Sequence, residues 1–264
     1  MQYVQIGDVK VSRFILGGNP FSGFSHLGVD MDMEVMRYYT TERIKRTIKE
    51  AESLSVNTFI GRVDNHILRI LLEYRDEGGT IQLFGQTCPE LGDPLISIDR
   101  AKENGAKGCH IHGGVMDNLL AQGRIDGVHA LVEEIHKRGM LAGIAGHNPK
   151  VFEWAEESNL DADYYMCSYY DPTPRDEHAG HVSELEEHFL PEDRERMTGI
   201  IPNLSKPVIH YKILASGRHE PADAFSYAAK IMRATDAVCV GVYTKDKPDM
   251  IKEDIQLLLE AVAG

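Results

Sequence analysis

The sequence predicts an α/β fold, a (β/α)₈ or TIM barrel preceded by an N-terminal β-hairpin, and three observations support this prediction. Short apolar segments alternate with amphipathic helical segments along the whole chain. Strands separated by helices pair in parallel, because such connections need crossovers. Eight strand–helix units in 264 residues match the usual length of one barrel. We therefore expect residues 1–264 to form one barrel domain.

The eight candidate strands are short apolar runs, several of which end in Gly, His, Asn or Lys. They cover residues 13–18, 56–61, 81–85, 108–112, 141–147, 164–168, 207–212 and 237–243. Candidate helices cover residues 42–53, 67–76, 96–104, 126–137, 150–158, 221–233 and 249–262. Because barrel enzymes place their chemistry at the carboxyl ends of the strands, the polar residues that close each run are candidates for a site.

Three further segments complete the predicted architecture. Residues 3–6 and 9–14 flank the pair Gly7-Asp8, which suits the tight turn of a hairpin. A long loop at 19–39 follows the first barrel strand, and an insertion at 171–204 contains an acidic helix from about 183 to 196. Long loops in a compact domain are usually functional, and these two could form a lid over the strand ends.

Composition restricts the function classes. The formal net charge is −13 and the pI is about 5.4, which argues against nucleic acids and anionic membranes as partners. No apolar run approaches a membrane span, and no signal peptide is visible. The four cysteines lack disulfide or metal-site spacing. We expect a cytoplasmic protein that acts on a small molecule, with a homo-oligomer left open.

Polar side chains at the strand ends predict a catalytic site. His112 ends the fourth candidate strand, His147 ends the fifth and Lys212 ends the seventh. Histidine titrates near neutral pH and suits acid–base catalysis. Lys212 suits a Schiff-base amine, a neutral base or a fixed cation. Burying unpaired polar groups costs about 1–3 kcal/mol each, so such a ring usually persists because it functions.

Further residues are expected to surround these three. The candidates for substrate binding lie at or near other strand ends and are Asn19, Arg62, Gln86, His210 and Tyr243. Alternation along a strand puts residues two apart on the same face. We therefore expect His210 to lie one layer below Lys212, and His110 one layer below His112.

A divalent metal site is an open alternative at the same strand ends. His112, His147 and His210 would have to converge at about 2.0–2.1 Å from one ion. Asp64, Glu90 and Asp171 are the available carboxylates. The pair formed by His178 and His181 has ligand-like spacing, although a solvated loop is the simpler interpretation.

Two loops offer weak signals for phosphate binding. Residues 215–218 follow the seventh candidate strand, where barrels commonly bind anions, and residues 244–246 follow the eighth. Neither loop matches a specific glycine motif.

Several segments resemble the aldo/keto reductase superfamily, in particular a bacterial branch of it. They are residues 9–18, 144–149, 207–218 and 236–242, the last of these followed by Glu253-Asp254. The resemblance implies a barrel with an opening hairpin. Ketone reduction in that family uses an Asp, a Tyr, a Lys and a His.

Only one residue of that catalytic set is kept here. The Asp position falls at Ile60, the Tyr position in the stretch 64–66 and the Lys position at Gln86, whereas the His position is His112. Without the proton-donating Tyr and the Lys that lowers its pKa, the family's ketone reduction should fail.

The sequence therefore favours a non-redox enzyme on a reductase-like barrel. We expect an isomerase, epimerase or lyase that uses acid–base chemistry on a small sugar-like or keto/hydroxy-acid substrate. The first alternative is an NAD(P)H-dependent aldo/keto reductase whose proton donor has changed to His66 or Lys212, with NADP as a possible but disfavoured cofactor. The second alternative is a binding protein without catalysis.

Overall fold

The computed structural model describes residues 1–175, 177–180, 182 and 185–264. Its strands are β1 (Tyr3–Ile6), β2 (Val9–Ser12), β3 (Phe14–Gly17), β4 (Thr58–Arg62), β5 (Gln82–Gln86), β6 (Gly108–Ile111), β7 (Leu141–Gly146), β8 (Tyr164–Ser168), β9 (Val208–Tyr211) and β10 (Ala237–Gly241). Its α-helices are α1 (Val29–Tyr38), α2 (Thr41–Ser53), α3 (Asn65–Asp76), α4 (Pro94–Glu103), α5 (Gly113–Ala121), α6 (Val128–Lys137), α7 (Lys150–Glu157), α8 (Pro191–Ile200), α9 (Pro221–Ile231) and α10 (Met250–Ala263).

Strands β3 to β10 form a closed barrel in which neighbouring strands are parallel. Each of them lies within one of the eight candidate strands or extends one residue past it, so the predicted (β/α)₈ barrel is confirmed. The continuous apolar run of each strand explains the result, because one face packs on the helices and the other fills the barrel. No helix in the described ranges is both long and apolar enough to cross a lipid bilayer.

The N-terminal hairpin closes one end of the barrel, as predicted. Strands β1 and β2 pair in antiparallel fashion, and Gly7 adopts a φ of 55° in the turn between them. Val4, Ile6 and Val11 pack into the same apolar cluster as the barrel interior. This end is opposite the carboxyl ends of β3 to β10, so the other mouth is available for a site.

The barrel interior is a small apolar cluster with one polar pair. Phe84 and Tyr164 meet edge to face at 5.4 Å, and Tyr164 OH lies 3.2 Å from His110 Nδ1. His110 therefore faces the interior, as alternation predicts. Gly143 makes room for this pair, because a Cβ there would lie 2.3 Å from the ring of Tyr164.

Three segments differ from the sequence prediction. The predicted loop at 19–39 contains α1, which begins with Asp30 and Asp32 in its first turn, a favourable position for negative charge. Helix α5 was not predicted because it begins with Gly113 and Gly114, which are poor helix formers.

The acidic helix expected from about 183 to 196 is in fact α8, which begins at Pro191. Proline suits the first turn of a helix and disrupts its interior, so Pro191 marks the true start. Residues 183 and 184 lie outside the described residues.

Candidate active site

A cavity of about 940 Å³ lies at the carboxyl ends of the barrel strands. Its volume is in the range of small-molecule sites. The polar residues that line it include Asn19, His26, Arg62, Gln86, His112, His147, Arg175, Tyr211, Lys212 and Tyr243. All three residues predicted to be catalytic, and four of the five predicted to bind substrate, therefore face one cavity.

His147 forms a buried pair with Asp117 of α5. Nδ1 of His147 lies 2.7 Å from Oδ2 of Asp117, whose carboxylate also accepts hydrogen bonds from the backbone N–H groups of His147 and Asn148. These backbone donors stabilise the carboxylate, so the ring donates from Nδ1 and keeps a lone pair on Nε2. Nε2 lies 3.4 Å from the hydroxyl of Tyr211.

Asp117 titrates near neutral pH, whereas the ring of His147 stays neutral there. Burial raises the pKa of Asp117 to about 7, and burial holds the pKa of His147 well below its usual range, with Lys212 and Arg175 acting in the same direction. While Asp117 is ionised and accepts the Nδ1 proton, Nε2 is the nitrogen of the His147 ring that keeps a lone pair. His147 can therefore accept a proton from a bound ligand at Nε2 when Asp117 is ionised.

His112 has the opposite arrangement of its ring nitrogens. It caps α5, since its Nδ1 accepts a hydrogen bond from the backbone N–H of Gly114 at 3.1 Å. Thr87 fixes its backbone by accepting from His112 N at 2.9 Å. Because Nδ1 is an acceptor, the neutral ring carries its proton on Nε2.

The imidazole of His112 stays neutral at physiological pH. Burial holds its pKa well below the usual range, and the charges of His147, Arg175 and Arg62 act in the same direction. His112 is thus a neutral hydrogen-bond donor, whereas His147 is an acceptor. The two rings come from the ends of the neighbouring strands β6 and β7.

The placement of β9 side chains corrects one prediction. Ile209 packs in the barrel interior and Val208 packs against the helices, so His210 points outward and Tyr211 inward. His210 is fully buried between the hydroxyl of Tyr169 at 2.9 Å and Asp236 at 3.3 Å. The predictions that His210 binds substrate and lies below Lys212 are therefore wrong.

Lys212 reaches the cavity because the backbone reverses the alternation. It follows β9 and would continue outward on an extended strand, but its φ of +58° is in the left-handed region and redirects its side chain. Its Nζ lies 3.2 Å from Nε2 of His26. Burial lowers the pKa of Lys212 to about 8, with Glu187 opposing and Arg175 and Arg218 reinforcing the change.

His26 joins two loops over the cavity mouth. We name the first loop as residues 19–28, and the covering segment as the described residues between 171 and 190. His26 Nδ1 lies 2.9 Å from the carboxylate of Glu187 in the covering segment. The carbonyl of Ala179 approaches so closely that a Cβ on Gly114 would lie 2.2 Å from it. The covering segment thus packs directly on the start of α5, beside His112.

Two buried guanidinium groups face the cavity, and they differ in their partners. Arg62 already pairs with Asp64 at 3.1 Å and contacts Glu90. Arg175 donates from Nη1 to the carbonyl of Gly180 at 2.7 Å, and its buried Nε has no hydrogen-bond partner among the described residues. Arg175 is therefore better placed than Arg62 to bind an anionic group of a ligand.

The remaining predicted binding residues line the cavity with different partners. Asn19 Nδ2 lies 3.4 Å from His26 Nε2, so it holds the first loop. The Tyr243 hydroxyl donates a hydrogen bond to the carboxylate of Glu34 in α1 at 2.9 Å. Gln86 lines the cavity at the end of β5.

The predicted trio of metal ligands does not converge. His112 and His147 face the cavity, but His210 lies behind the strand with Tyr169 and Asp236. Across the described ranges, no three His, Cys, Asp or Glu side chains form a group that could hold a metal ion. His178 Nδ1 donates to the carbonyl oxygen of Gly180 at 2.9 Å, and its predicted partner His181 lies outside the described residues.

The positions of the missing reductase residues are now clear. Ile60 and Gln86, which the sequence resemblance matched to the Asp and Lys positions of that family, both line the cavity. His66 is exposed on α3 and does not line the cavity, so it is excluded as the proton donor of the alternative mechanism. Lys212 is the other residue named for that role, and it does face the cavity.

The two loops considered for phosphate differ in their access to the cavity. Ser216 and Gly217 line it, in a turn whose residues have positive φ. After β10, Lys245 is an exposed residue that pairs with Glu34 at 2.7 Å, and Thr244 lies 3.1 Å from the Tyr38 hydroxyl.

Five residues of the candidate active site were not predicted from the sequence, namely His26, Asp117, Arg175, Glu187 and Tyr211. Tyr211 was available from alternation, because it lies two positions after Ile209 and therefore on the same, inward face of β9. The other four lie in loops or in α5, and their positions depend on long-range packing that no local pattern reveals.

Comparisons with known proteins support the fold. No family model matches the sequence, and no curated protein matches it significantly. Among solved structures, a protein from Pseudomonas aeruginosa assigned to the aldo-keto reductases has a TM-score of 0.62 at 14% identity, over 98% of this chain and 95% of that one. An aldo-keto reductase from Bacillus halodurans has a TM-score of 0.61 at 15% identity, over 100% and 94%.

A non-redox enzyme also shares the architecture. The N-acetylmannosamine-6-phosphate 2-epimerase from Clostridium perfringens has a TM-score of 0.52 at 14% identity, over 83% of this chain and 86% of that one. At these identities the likeness shows the fold alone. The resemblance seen in the sequence is thus confirmed for the barrel, which known reductases and sugar-processing enzymes share.

Proposed function

We propose that this protein is a non-redox enzyme that transfers a proton at the carbon next to a carbonyl group. Its substrate would be a small, anionic, sugar-like or keto/hydroxy-acid molecule, and the reaction an isomerisation, epimerisation or β-elimination. The observation that carries this proposal is that one cavity contains two neutral histidines with opposite tautomers. Asp117 makes His147 an acceptor at Nε2, and the start of α5 makes His112 a donor at Nε2.

The two rings divide the chemistry between them. His147 removes the proton from the carbon, and Asp117 stabilises the positive charge that the imidazole gains. His112 donates a hydrogen bond to the carbonyl oxygen as negative charge develops there. His147 then returns the proton to the neighbouring carbon, which gives isomerisation, or to a leaving group, which gives β-elimination. Epimerisation additionally requires a proton donor on the opposite face of the same carbon.

Cations at the rim bind the substrate and stabilise the enolate. Arg175 has donor capacity left after its contact with Gly180, and Lys212 adds a second positive charge at neutral pH because its pKa is about 8. Tyr211 stays protonated, since burial raises its pKa well above the usual value, and its hydroxyl lies 3.4 Å from His147 Nε2. A small ligand that carries a carboxylate or phosphate therefore fits this cavity.

Deuterium incorporation from solvent tests the proposal. Purified protein in D₂O would be incubated with 2-oxo acids, ketoses, aldoses and their phosphates, and exchange of C–H protons followed by ¹H NMR. We expect enzyme-dependent exchange that falls by about 10²–10⁴-fold in His147→Gln. His129→Gln changes an exposed histidine beside Trp154 and should leave the exchange intact. Equal exchange in His147→Gln and wild type would refute the role of His147.

Reduction with NADPH is the second candidate function, favoured by the shape of the cavity. It extends past the ends of β9 and β10 to Ser216, Gly217 and Asp254, further than a small sugar needs. The side chains at Ile60 and Gln86 do not supply the family's proton-donor system. We expect no loss of nicotinamide absorbance with aldehydes, ketones or keto-sugars. Enzyme-dependent NADPH oxidation that persists in Lys212→Ala would favour a reductase with another proton donor.

A further inference from the structure

We propose that Lys212 is a nucleophile that forms an imine with the carbonyl carbon of the substrate, and that His26 and Glu187 activate it. The inference builds on the proposed function, because the imine would provide the electron sink for the proton transfer by His147. It narrows the substrate class to aldehydes and ketones that carry an anionic group.

Lys212, His26 and Glu187 form a chain of three side chains in contact. Nζ of Lys212 lies 3.2 Å from Nε2 and 3.4 Å from Nδ1 of His26. Nδ1 of His26 lies 2.9 Å from the Glu187 carboxylate. Glu187 accepts the Nδ1 proton, which leaves Nε2 as an acceptor for the amine. Asn19 Nδ2 also lies 3.4 Å from that nitrogen, so it is a second donor beside the same lone pair. A nucleophile beside a base that a carboxylate orients is the arrangement of activated nucleophiles in general.

Lys212 and His26 both have strained backbones. Lys212 has a φ of 58° and His26 a φ of 60°, and neither residue is glycine. Residues held in the left-handed region persist where surrounding structure imposes them, and they cluster at functional sites. Here both strained residues direct their side chains to the same 3.2 Å contact.

The surroundings of the Lys212 amine favour its neutral form. Lys212 lines the cavity, and its Nζ lies 5.7 Å from the centre of the Phe189 ring in the covering segment. Burial lowers the pKa of Lys212 to about 8 against the opposing charge of Glu187, with Arg175 and Arg218 reinforcing the change, so a useful fraction of the amine is neutral near pH 7. A lysine that only bound an anion would gain nothing from a base beside it.

The chemical step balances without a further reactant. Lys212 loses one proton to Nε2 of His26, and Glu187 stabilises the resulting charge. The amine attacks the carbonyl carbon, a C–N bond forms, and the carbonyl oxygen takes a proton. The oxygen then leaves as water, whose two hydrogens come from the original ammonium group. The iminium ion that remains withdraws electrons from the adjacent carbon, where His147 acts.

The anionic group is assigned to Arg175. Its charge is close enough to influence Lys212, His112 and His147, and its Nε has no partner among the described residues. A 2-oxo acid or a phosphorylated ketose presents both a carbonyl and an anion. The 2-oxo acid and the phosphorylated ketose offer the same two groups, so each compound is used separately in the test.

Formaldehyde with cyanoborohydride tests the amine without knowledge of the substrate. Formaldehyde forms an imine with any accessible neutral amine, and reduction fixes it as a methyl group that peptide mass spectrometry locates. At pH 7 we expect Lys212 to react at least tenfold faster than the exposed Lys102 and Lys252. The advantage should shrink at pH 10, where ordinary lysines approach neutrality. Equal or slower reaction of Lys212 at pH 7 would overturn the proposal.

Variants of the activating pair test its role. His26→Gln keeps a polar side chain but removes the base, so methylation of Lys212 at pH 7 should fall at least fivefold and recover at pH 10. An unchanged rate at pH 7 would overturn the activation by His26 and Glu187. A reduced adduct of pyruvate or of dihydroxyacetone phosphate on Lys212 would identify the anionic source.

Lys212→Arg separates this proposal from the proposed function. Arginine keeps the positive charge but does not form the imine, so proton exchange in D₂O should be lost. Exchange that persists in Lys212→Arg would overturn the imine while the role of His147 stands. Fast trapping at Lys212 together with exchange that is independent of His147 would instead support the imine and refute the role of His147.

Discussion

The carboxylate of Asp117 accepts a hydrogen bond from Nδ1 of His147 at 2.7 Å and two more from the backbone N–H groups of His147 and Asn148. One carboxylate therefore fixes both the ring and the backbone at the end of β7. Because Asp117 lies on α5, the same helix that His112 caps, both histidines are positioned by one element. This coupling gives the first prediction.

Asp117→Asn should abolish the acid–base function while the fold remains. The amide keeps the size of the side chain, but its NH₂ group opposes the backbone donors and it does not stabilise an imidazolium. We expect the rate of proton exchange to fall by about 10²–10⁴-fold. Asp126→Asn, which alters a carboxylate bonded to Trp154, is the matched control and should retain the wild-type rate.

The pH dependence of kcat/KM should show a rise through about pH 7. The basic form of the Asp117–His147 pair is the deprotonated one, and the pKa of Asp117 is raised to about 7 by burial. A second rise near pH 8 is expected from Lys212, which must lose a proton to act as a nucleophile. A rate profile that falls from pH 6 to 7 would contradict this assignment. Lys212→Arg should remove the rise near pH 8 from whatever activity remains.

Gly114→Ala should displace the covering segment without unfolding the barrel. A Cβ at this position would lie 2.2 Å from the carbonyl oxygen of Ala179, so the backbone of the segment must move. We expect at least a tenfold loss of kcat/KM and faster proteolytic cleavage between residues 171 and 190. Gly199→Ala adds a methyl group where nothing lies within 4 Å and should change neither measurement.

His210→Asn should lower stability and leave the chemistry unaffected. His210 is fully buried outside the barrel and bridges Tyr169 and Asp236, so the shorter side chain loses these contacts. We expect the free energy of unfolding in urea to fall by about 2–4 kcal/mol. The turnover rate per folded molecule should equal that of wild type. A specific loss of turnover would place His210 in the site after all.

Asp254→Asn should stabilise the protein above pH 7. Asp254 is buried beside the cavity with Oδ2 unpartnered among the described residues, and burial raises its pKa to about 7. The folded chain therefore binds this proton more tightly than the unfolded chain, whose pKa is about 3.9. Its stabilising contribution is complete below about pH 4 and is lost as the pH rises to about 7.

The amide does not titrate, so the variant should exceed wild type by about 2–4 kcal/mol at pH 8 and by much less at pH 4.5. Urea denaturation at the two pH values measures the difference. Asp246→Asn, at an exposed position, should be neutral at both. An equal effect of Asp254→Asn at both pH values would show that the carboxyl group is not the cause.

The barrel was predictable because its signal is local and repeated. Each strand is a short apolar run that must be buried on both faces, and each helix buries one stripe. The hairpin at Gly7 and Asp8 followed from turn chemistry in the same way. Helix α5 was missed because two glycines begin it, although His112 caps it and tertiary packing on β7 stabilises it.

By itself, the sequence determined the eight strands, their order along the chain and the presence of His112, His147 and Lys212 at strand ends. Only the tertiary structure decided which polar groups meet. The left-handed backbone at Lys212 breaks the alternation that predicted His210 beside it, and the partners His26 and Glu187 are separated by 161 positions. Strand periodicity is set by neighbouring residues, whereas the hydrogen bonds of the site join distant loops that meet only when the barrel closes.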